Sequence, residues 1–293
     1  MVLTIEAELW DEHRCELGEG PTWDARSGDV MWVDIVGQQV HRRAVDTPRT
    51  TVHLDAAVGA IAPCETEGWI LALEKEIVRR SPDGTLHPLA RFADADGRPP
   101  QTPIRANDAA CDPQGRFWVG TMAWDATPDA GSLYRLDPHR GTFEAVLTGT
   151  TISNGIGWSP ERDLMYYVDT ATGGIDIFDF DPGSGDIHAR RRFVEIPASA
   201  GVPDGLAVDI EGGVWVALWG GGSIHRYTPD GRLHTEVSIP CSQVTSCAFV
   251  GEHLDQLVIT TARTSLDHLE PTAGMTFMTD PGVRGLPVTP YAR

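Results

Sequence analysis

Cys111-Asp-Pro-Gln-Gly-Arg-Phe-Trp-Val-Gly120, followed by Gly131-Ser-Leu-Tyr-Arg-Leu-Asp-Pro138, is the stretch of the chain that decides the fold. A turn rich in Asp, Pro and Gly precedes a short aromatic strand, and a loop leads from that strand to a second one. No long amphipathic helix pattern lies between the strands. The stretch therefore predicts two strands joined by a loop.

The same order of turn, strand, loop and strand recurs twice, at 159–168 with 174–180 and at 209–216 with 222–229. The aromatic strands that begin at Phe117, Leu164 and Val214 are 47 and 50 residues apart. A repeat of that length with about four strands is typical of propeller blades. The apolar runs predicted as strands are 30–35, 69–73, 117–121, 164–168, 214–219 and 257–260.

Units of this kind nearly fill the 293 residues of the chain. Six are counted, starting at Glu19, Val58, Asn107, Asn154, Asp204 and Val244. We therefore expect one all-β domain over residues 1–293, a six-bladed β-propeller, whose first strand near residues 3–9 completes the last blade. A pair of β-sandwiches is the structural alternative.

Composition restricts the possible partners. The formal net charge is −19 and the sequence pI is about 4.8, so we expect neither a nucleic acid nor a membrane as partner. Five cysteines without a CxxC pair indicate free thiols rather than a zinc ribbon or a disulfide framework. No signal peptide or membrane span is evident. We expect a cytoplasmic protein, and its oligomeric state stays open.

The predicted units open with short polar segments, at 17–23, 105–108, 153–155 and 203–205. In a propeller these openings, expected just before the innermost strands, cluster at one end of the central channel. Taken alone, Asn154-Gly155 and Asp204-Gly205 favour turns. Recurrence favours a shared site instead, because Asn154 lies 47 residues after Asn107 and Asp204 lies 50 residues after Asn154. Carboxylate and amide oxygens suit a hard cation such as calcium, magnesium or manganese.

Several common catalytic and nucleotide-binding signatures are absent from the sequence. It contains no GxSxG nucleophile elbow, no HExxH motif and no GxGxxG that opens a helix after a strand,. The ten histidines are scattered without metal-ligand spacing, and most are interpreted as surface residues.

At the polar segments the chain resembles the regucalcin–gluconolactonase family, also called the senescence-marker-protein family. The resemblance spans nearly the whole chain, and its motifs are specific in combination. They are 17–23 (LGEGPTW), 107–122 (NDAACDPQGRFWVGTM), 153–159 (SNGIGWS), 203–209 (PDGLAVD), 217–221 (ALWGG), 244–247 (VTSC) and 260–263 (TTAR).

The resemblance implies a six-bladed propeller that hydrolyses aldonolactones, with sites carried over position by position. Glu19, Asn154 and Asp204 match the residues that hold one divalent ion: calcium is the first expectation, and zinc, manganese and magnesium are the alternatives. Arg105 and Asn107 match residues that contact the sugar lactone. Asp125 is nearest to an acid that faces the pocket in some members, while Trp124 departs from the usual pattern beside it.

These expectations lead to a mechanism for a divalent-metal-dependent lactonase. The ion polarises the lactone carbonyl, Asp204 acts as general base, Arg105 donates hydrogen bonds and Asn107 orients the substrate. A different ester hydrolase, such as an aryl-ester lactonase or phosphotriesterase, is one alternative, although no histidine lies at the ligand segments. A non-catalytic calcium-binding propeller or protein scaffold is the other.

Overall fold

The computed structural model describes residues 2–44, 47–93, 100–266, 268 and 270–293. These residues form β-strands and two single-turn 3₁₀ helices, Thr170–Thr172 and Ala198–Ala200. Within the described ranges, no helix is long and apolar enough to cross a membrane. The all-β expectation is confirmed.

The strands form six sheets, which are the blades of the propeller. Two strands, β1 (Leu3–Glu6) and β2 (Glu8–Asp11), precede the first blade. Blade 1 contains β3 (Gly18–Asp24), β4 (Asp29–Asp34), β5 (Gln39–Ala44) and β6 (Thr50–His53). Blade 2 contains β7 (Val58–Pro63), β8 (Trp69–Leu73), β9 (Glu76–Arg80) and β10 (Leu86–Arg91). Blade 3 contains β11 (Ile104–Cys111), β12 (Phe117–Ala123), β13 (Gly131–Asp137) and β14 (Thr142–Thr150).

The remaining blades follow the same plan. Blade 4 contains β15 (Ser153–Trp158), β16 (Leu164–Asp169), β17 (Gly174–Phe180) and β18 (Ile187–Glu195). Blade 5 contains β19 (Val202–Val208), β20 (Val214–Trp219), β21 (Ser223–Tyr227) and β22 (Leu233–Ser238). Blade 6 contains β23 (Val244–Val250), β24 (Gln256–Thr261) and β25 (Thr276–Thr279). The six runs predicted as strands are the second strands of the six blades.

The first strand of each blade is the innermost one. β3, β7, β11, β15, β19 and β23 each contact the next in this order, and β23 contacts β3, so they close a ring around a central channel. The predicted six-bladed propeller is confirmed. Because the neighbouring blades cover each sheet on both faces, second strands such as β4 and β8 are buried along their whole length.

Ring closure uses the N-terminal strands. β2 pairs antiparallel with β25 and completes blade 6, whereas β1 pairs parallel with β22 and extends blade 5. The predicted closing strand near residues 3–9 is therefore two strands that serve two blades. Closing the ring covers the faces of the first and last blades, and the sheet edges that a propeller leaves are short and lie at its outside,.

The repeated turn motif has a structural cause in blades 3 and 5. Asp112 accepts hydrogen bonds from the backbone of Gln114 and from Nε1 of Trp118, at 2.8 and 3.0 Å. Asp209 accepts the equivalent bond from Nε1 of Trp215 at 2.8 Å and another from the Gly213 backbone at 2.8 Å. One carboxylate thus fixes the turn and orients the Trp of the next strand, which explains the spacing seen in the sequence.

Every innermost strand shifts its pairing register near its start. The shifts fall between Glu19 and Thr22, Val58 and Ala60, Ala106 and Ala109, Ser153 and Ile156, Pro203 and Leu206, and Val244 and Ser246. Such bulges redirect side chains and are common beside functional sites. Six of them at the same level of one ring create a distinct layer in the channel.

Candidate functional site

Buried polar side chains occupy the bulge layer. Glu19, Asn107, Asp108, Asn154 and Asp204 are all at most 8% exposed and lie at the bulges of β3, β11, β15 and β19. They were predicted to lie before the innermost strands, and instead they lie inside them. Neither Asn154-Gly155 nor Asp204-Gly205 forms a turn: both pairs are strand residues. The turn interpretation of each pair alone is therefore wrong.

Glycine is required after two of these residues because the innermost strands approach one another closely. A Cβ atom on Gly155 would lie 2.7 Å from the carbonyl oxygen of Asp204. A Cβ atom on Gly205 would lie 2.6 Å from Cβ of Ser246. Real Cβ atoms essentially never approach so near, so the glycines allow the strands to converge around the site.

The site gathers three carboxylates around one guanidinium. Burial, with repulsion from Asp204 and Asp108, raises the pKa of Glu19 well above its usual range,. Burial, then the charge of Asp108, does the same to the pKa of Asp204, against hydrogen bonding from Asn154 and attraction by Arg105. Burial raises the pKa of Asp108 to about 6, and lowers that of Arg105 to about 10. Arg105 therefore keeps its positive charge at neutral pH.

Two oxygen atoms in this layer have no hydrogen-bond partner. Oδ1 of Asn154 and Oδ1 of Asp204 are both buried and unpaired, although Nδ2 of Asn154 donates to Oγ1 of Thr170 at 3.0 Å. Leaving a buried acceptor unpaired costs roughly 1–3 kcal/mol. With Glu19, Asp108 and Asp204 ionised against Arg105, the group carries two excess negative charges. A divalent cation would satisfy the unpaired oxygens and balance that charge, so the donor set fits such an ion.

Arg105 and Asn107 form a connected pair beside the carboxylates. Nη1 of Arg105 donates to Oδ1 of Asn107 at 2.6 Å, and Nδ2 of Asn107 donates to the Ser153 carbonyl at 3.0 Å. Asn107 thereby links β11 to the residue before Asn154. The guanidinium also lies 5.3 Å from the ring centre of Trp124, which is 44% exposed. Arg105 and Asn107 are thus both buried, and the ring of Trp124 covers the guanidinium.

Carboxylates on the second strands of two blades fix the backbone just before two of the predicted metal ligands. Asp34 accepts hydrogen bonds from the backbone of Glu16 and Leu17 at 2.8 and 3.0 Å, just before Glu19. Asp169 accepts from the backbone at 151 and 152, at 3.1 and 2.9 Å, just before Asn154. These acids position the chain and leave its functional side chains free to face the channel.

The family model for the SMP-30/gluconolactonase/LRE-like region matches residues 17–263, which include every bulge of this layer. The chain belongs to this family. The predicted resemblance is confirmed.

Relatives of this SMP-30/gluconolactonase family protein cover most of its length. It is 37% identical to pentonolactonase XacC from Haloferax volcanii over 85% of the chain and 82% of that protein. It is 32% identical to a putative sugar lactone lactonase, YvrE, from Bacillus subtilis, over 98% of the chain and 99% of that protein. A calcium-binding protein, regucalcin from Agrobacterium tumefaciens, has a similar structure, with a TM-score of 0.92 at 29% identity, and covers 100% of this chain and 99% of that one.

Within this family fold, the predicted site residues separate into two groups. Glu19, Asn154, Asp204, Arg105 and Asn107 come together in the bulge layer. Asp125 does not join them: its Oδ1 accepts hydrogen bonds at 3.0 and 2.6 Å from the backbone and hydroxyl of Thr127, in an exposed turn. Its role as a pocket acid stays a prediction.

Sequence reasoning gave no role to Asp108. The residue is buried in the bulge layer, its charge acts on Glu19 and Asp204, and its Oδ1 accepts from the Ala109 backbone at 2.7 Å. Its position directly after Asn107 was the available signal. In a regular strand, however, adjacent side chains point to opposite faces, so only the bulge explains how both serve one site.

Proposed function

We propose that this protein hydrolyses a sugar-acid lactone to its aldonic acid with one divalent ion held by Glu19, Asn154 and Asp204. The observation that carries the proposal is the pair of buried, unpartnered oxygens on Asn154 and Asp204 beside further carboxylates. The names of the lactonase relatives support the reaction class. The relative named pentonolactonase favours five-carbon lactones such as xylonolactone and arabinonolactone, with gluconolactone as the six-carbon comparison. Calcium is the first candidate ion, with zinc, manganese and magnesium as alternatives.

The residues of the chain have distinct roles in this proposal. When bound, a divalent ion polarises a carbonyl as a Lewis acid and lowers the pKa of a bound water. Asp204 would hold the ion with one oxygen; its other oxygen would accept a proton from the water that attacks the carbonyl, and would return it to the ring oxygen when the ring C–O bond breaks. Arg105 donates hydrogen bonds to the lactone oxygens as negative charge develops there. Asn107 orients the sugar, and Asp125 contacts it from the rim.

Two alternatives are weighed against the same residues. Another ester hydrolase would be favoured by histidine beside the ion, but no bulge residue is a histidine. A non-catalytic calcium-binding protein is favoured by the description of the Agrobacterium regucalcin as calcium-binding. Such a protein needs the oxygen ligands but has no need for a buried arginine and a spare carboxylate oxygen beside them.

Proton release on a panel of lactones tests the proposal. The substrates are xylonolactone, arabinonolactone, gluconolactone and a simple aryl ester, each corrected for spontaneous hydrolysis. The protein is stripped with EDTA and assayed again after addition of calcium, manganese, magnesium or zinc. We expect negligible turnover of the stripped protein and restored turnover of one sugar lactone.

Each outcome of the panel has a consequence. Preference for the aryl ester would replace the sugar lactonase with the general esterase. Calcium binding without turnover of any lactone, by protein with intact circular dichroism, would favour the non-catalytic alternative. Full turnover after stripping, with residual metal excluded by elemental analysis, would remove the metal from the mechanism.

A further inference from the structure

A second cluster of metal-binding side chains lies away from the bulge layer, where blade 6 meets blade 1. Its members are His13, Cys15 and His41, whose candidate ligand atoms all lie within 4.8 Å of one another. In the ranges described, no other group of three or more His, Cys, Asp or Glu residues has such spacing. His13 and Cys15 lie on the segment between β2 and β3, and His41 lies on β5.

Two of the three side chains in this cluster are fully buried. His41 is 0% exposed and Cys15 is 1% exposed, whereas His13 is half-buried and offers a path from solvent. The rings of His13 and His41 meet edge to face, with centroids 4.7 Å apart. One nitrogen of each ring lies within 4.8 Å of the Cys15 sulfur.

One ring nitrogen of His41 has no hydrogen-bond partner. Nδ1 lies 3.0 Å from Oγ1 of Thr51 and 3.2 Å from Nη1 of Arg49, but the buried Nε2 is unpaired. If Nδ1 accepts these bonds, Nε2 bears a buried proton without an acceptor, which is costly. If Nδ1 instead donates to Thr51, Nε2 presents a lone pair, and Nη1 of Arg49 then donates to Oγ1 of Thr51 at 2.5 Å instead of to the ring. An acceptor on the opposite ring nitrogen fixes the tautomer and orientation of a metal-binding histidine, and Oγ1 of Thr51 is in position to serve as that acceptor.

The protonation of the three groups suits a soft or borderline cation. Burial lowers the pKa of His13 and lowers that of His41 to about 3, so both imidazoles are neutral ligands at pH 7. Burial, and then the charge of Asp34, raises the pKa of the Cys15 thiol. A metal ion must therefore displace the thiol proton. Zinc and cobalt bind thiolates strongly enough for such displacement, unlike calcium and magnesium.

The positive charges near the cluster are paired with a carboxylate, so they do not exclude a cation. Arg49 contacts Nδ1 of His41, and its Nε lies 3.4 Å from Oδ1 of Asp11. Arg43 also pairs with Asp11, at 3.1 Å. A divalent ion bound to a thiolate retains one positive charge, and the negative charge of Asp34, which acts on Cys15, opposes it.

We propose that His13, Cys15 and His41 form a second metal site, which takes a zinc-class divalent ion with three protein ligands and a solvent ligand in the fourth position. Its place in the fold assigns a structural role. The backbone N–H of Cys15 donates to the carbonyl of Gly274 in blade 6 at 2.8 Å, and His41 belongs to blade 1. The bound ion fastens this segment, which is hydrogen-bonded to blade 6, to His41 of blade 1.

Cobalt provides a spectroscopic probe of this site that is independent of activity. Reduced, EDTA-stripped protein is titrated with Co²⁺ and followed in the near-ultraviolet and visible ranges. We expect a thiolate-to-cobalt charge-transfer band with intense visible bands of tetrahedral cobalt, and their loss when Zn²⁺ is added. Zn²⁺ is also expected to raise the melting temperature, because it binds only the closed ring.

Variants locate the signal. Cys15→Ser should abolish the charge-transfer band, and His13→Ala should weaken cobalt binding by about 100-fold or more, since even partners of metal ligands contribute 10- to 100-fold. Cys111→Ser, a matched loss of a distant thiol, should keep the band. Asp204→Asn should also keep it, because that change affects only the channel site.

Three results would overturn the second site. One is the absence of any charge-transfer band in folded wild-type protein. Another is a band that survives Cys15→Ser, since the thiolate would then be elsewhere. The third is unchanged cobalt affinity in His13→Ala, a variant of a half-exposed residue whose fold is checked by circular dichroism.

Discussion

The upper and lower halves of the central channel are lined by the same six strands but differ in chemistry. The upper channel, at the bulge layer, contains Glu19, Arg105, Asn107, Asn154 and Asp204. The lower channel is a cavity of about 500 Å³. Its lining is mainly apolar and includes Ile61, Cys111, Trp158, Val208, Cys247, Phe249 and residues 286–290. Asp108 lies at the lower border of the bulge layer, since its charge acts on Glu19 and the residue also lines the cavity.

The difference shows what the bulges contribute. Below the bulges, successive side chains of each strand point to opposite faces in the regular way. Apolar side chains there face the channel or the neighbouring blades. At the bulges the alternation breaks, and consecutive polar residues such as Asn107 and Asp108 both become buried around one point,. The fold thus concentrates charge in one layer and keeps the rest of the channel apolar, which strengthens electrostatic interactions in that layer.

Removing the proposed base tests the upper channel most severely. We expect Asp204→Asn to keep the fold and to lose about 10²- to 10⁴-fold in kcat, the usual contribution of a general base. Steady-state kinetics at saturating metal give the value. Asp230→Asn is the matched control, because it removes the same charge from an exposed surface pair. Near-normal turnover by Asp204→Asn would exclude Asp204 as the base.

Replacing the arginine separates substrate binding from metal binding. Arg105→Ala removes charge-assisted hydrogen bonds worth roughly 1.5–3 kcal/mol, so kcat/KM should fall about 10- to 150-fold. Metal affinity should not fall, because the variant removes a positive charge from beside the ion. Calorimetric metal titration and kinetics on the same preparation measure both quantities. Equal losses of metal affinity and substrate handling would mean that Arg105 supports the ion site instead.

Asp108 should make the stability of the metal-free protein depend on pH. Folding raises its pKa from an ordinary 3.8 to about 6, so between these values the folded state holds a proton that the unfolded state releases. The stabilisation from this proton is complete below pH 4 and is lost as the pH rises through 6. Its full size is up to about 3 kcal/mol for two pKa units.

The difference in melting temperature between Asp108→Asn and wild type isolates this contribution. In EDTA, wild-type protein should lose more stability than the variant between pH 5 and pH 7. A parallel pH profile for the two proteins would contradict a raised pKa at Asp108. Saturating metal should reverse the trend, because the ion competes with protons for the neighbouring carboxylates.

The sequence alone predicts the architecture better than the detail of the site. Strands begin at Phe117, Leu164 and Val214 as predicted, and the structure shows that they are the second strands of their blades. They were predictable because an apolar run between Asp- and Gly-rich turns is a local sequence pattern. The bulges depend on pairing with the next strand and leave no local pattern, so Asp108 was missed.

The histidines also show what a local sequence pattern cannot predict. Most were interpreted as surface residues, yet His41 is fully buried and His225 is only 7% exposed. Cys15 and His41 meet because the segment before β3 packs against blade 1, and their separation of 26 positions matches no metal-ligand spacing. Contacts between segments that are distant in sequence are therefore the part that sequence reasoning cannot supply.

The smallest effect on activity is expected in the lower channel. Phe249 lines the cavity and packs edge to face on Trp215, with ring centroids 5.9 Å apart. Phe249→Leu should cost about 1 kcal/mol of stability through imperfect repacking, and it should leave kcat, KM and metal affinity unchanged. Thermal melts and kinetics with saturating metal provide the comparison. A changed KM would extend substrate binding below the bulge layer and remove the functional division between the two halves of the channel.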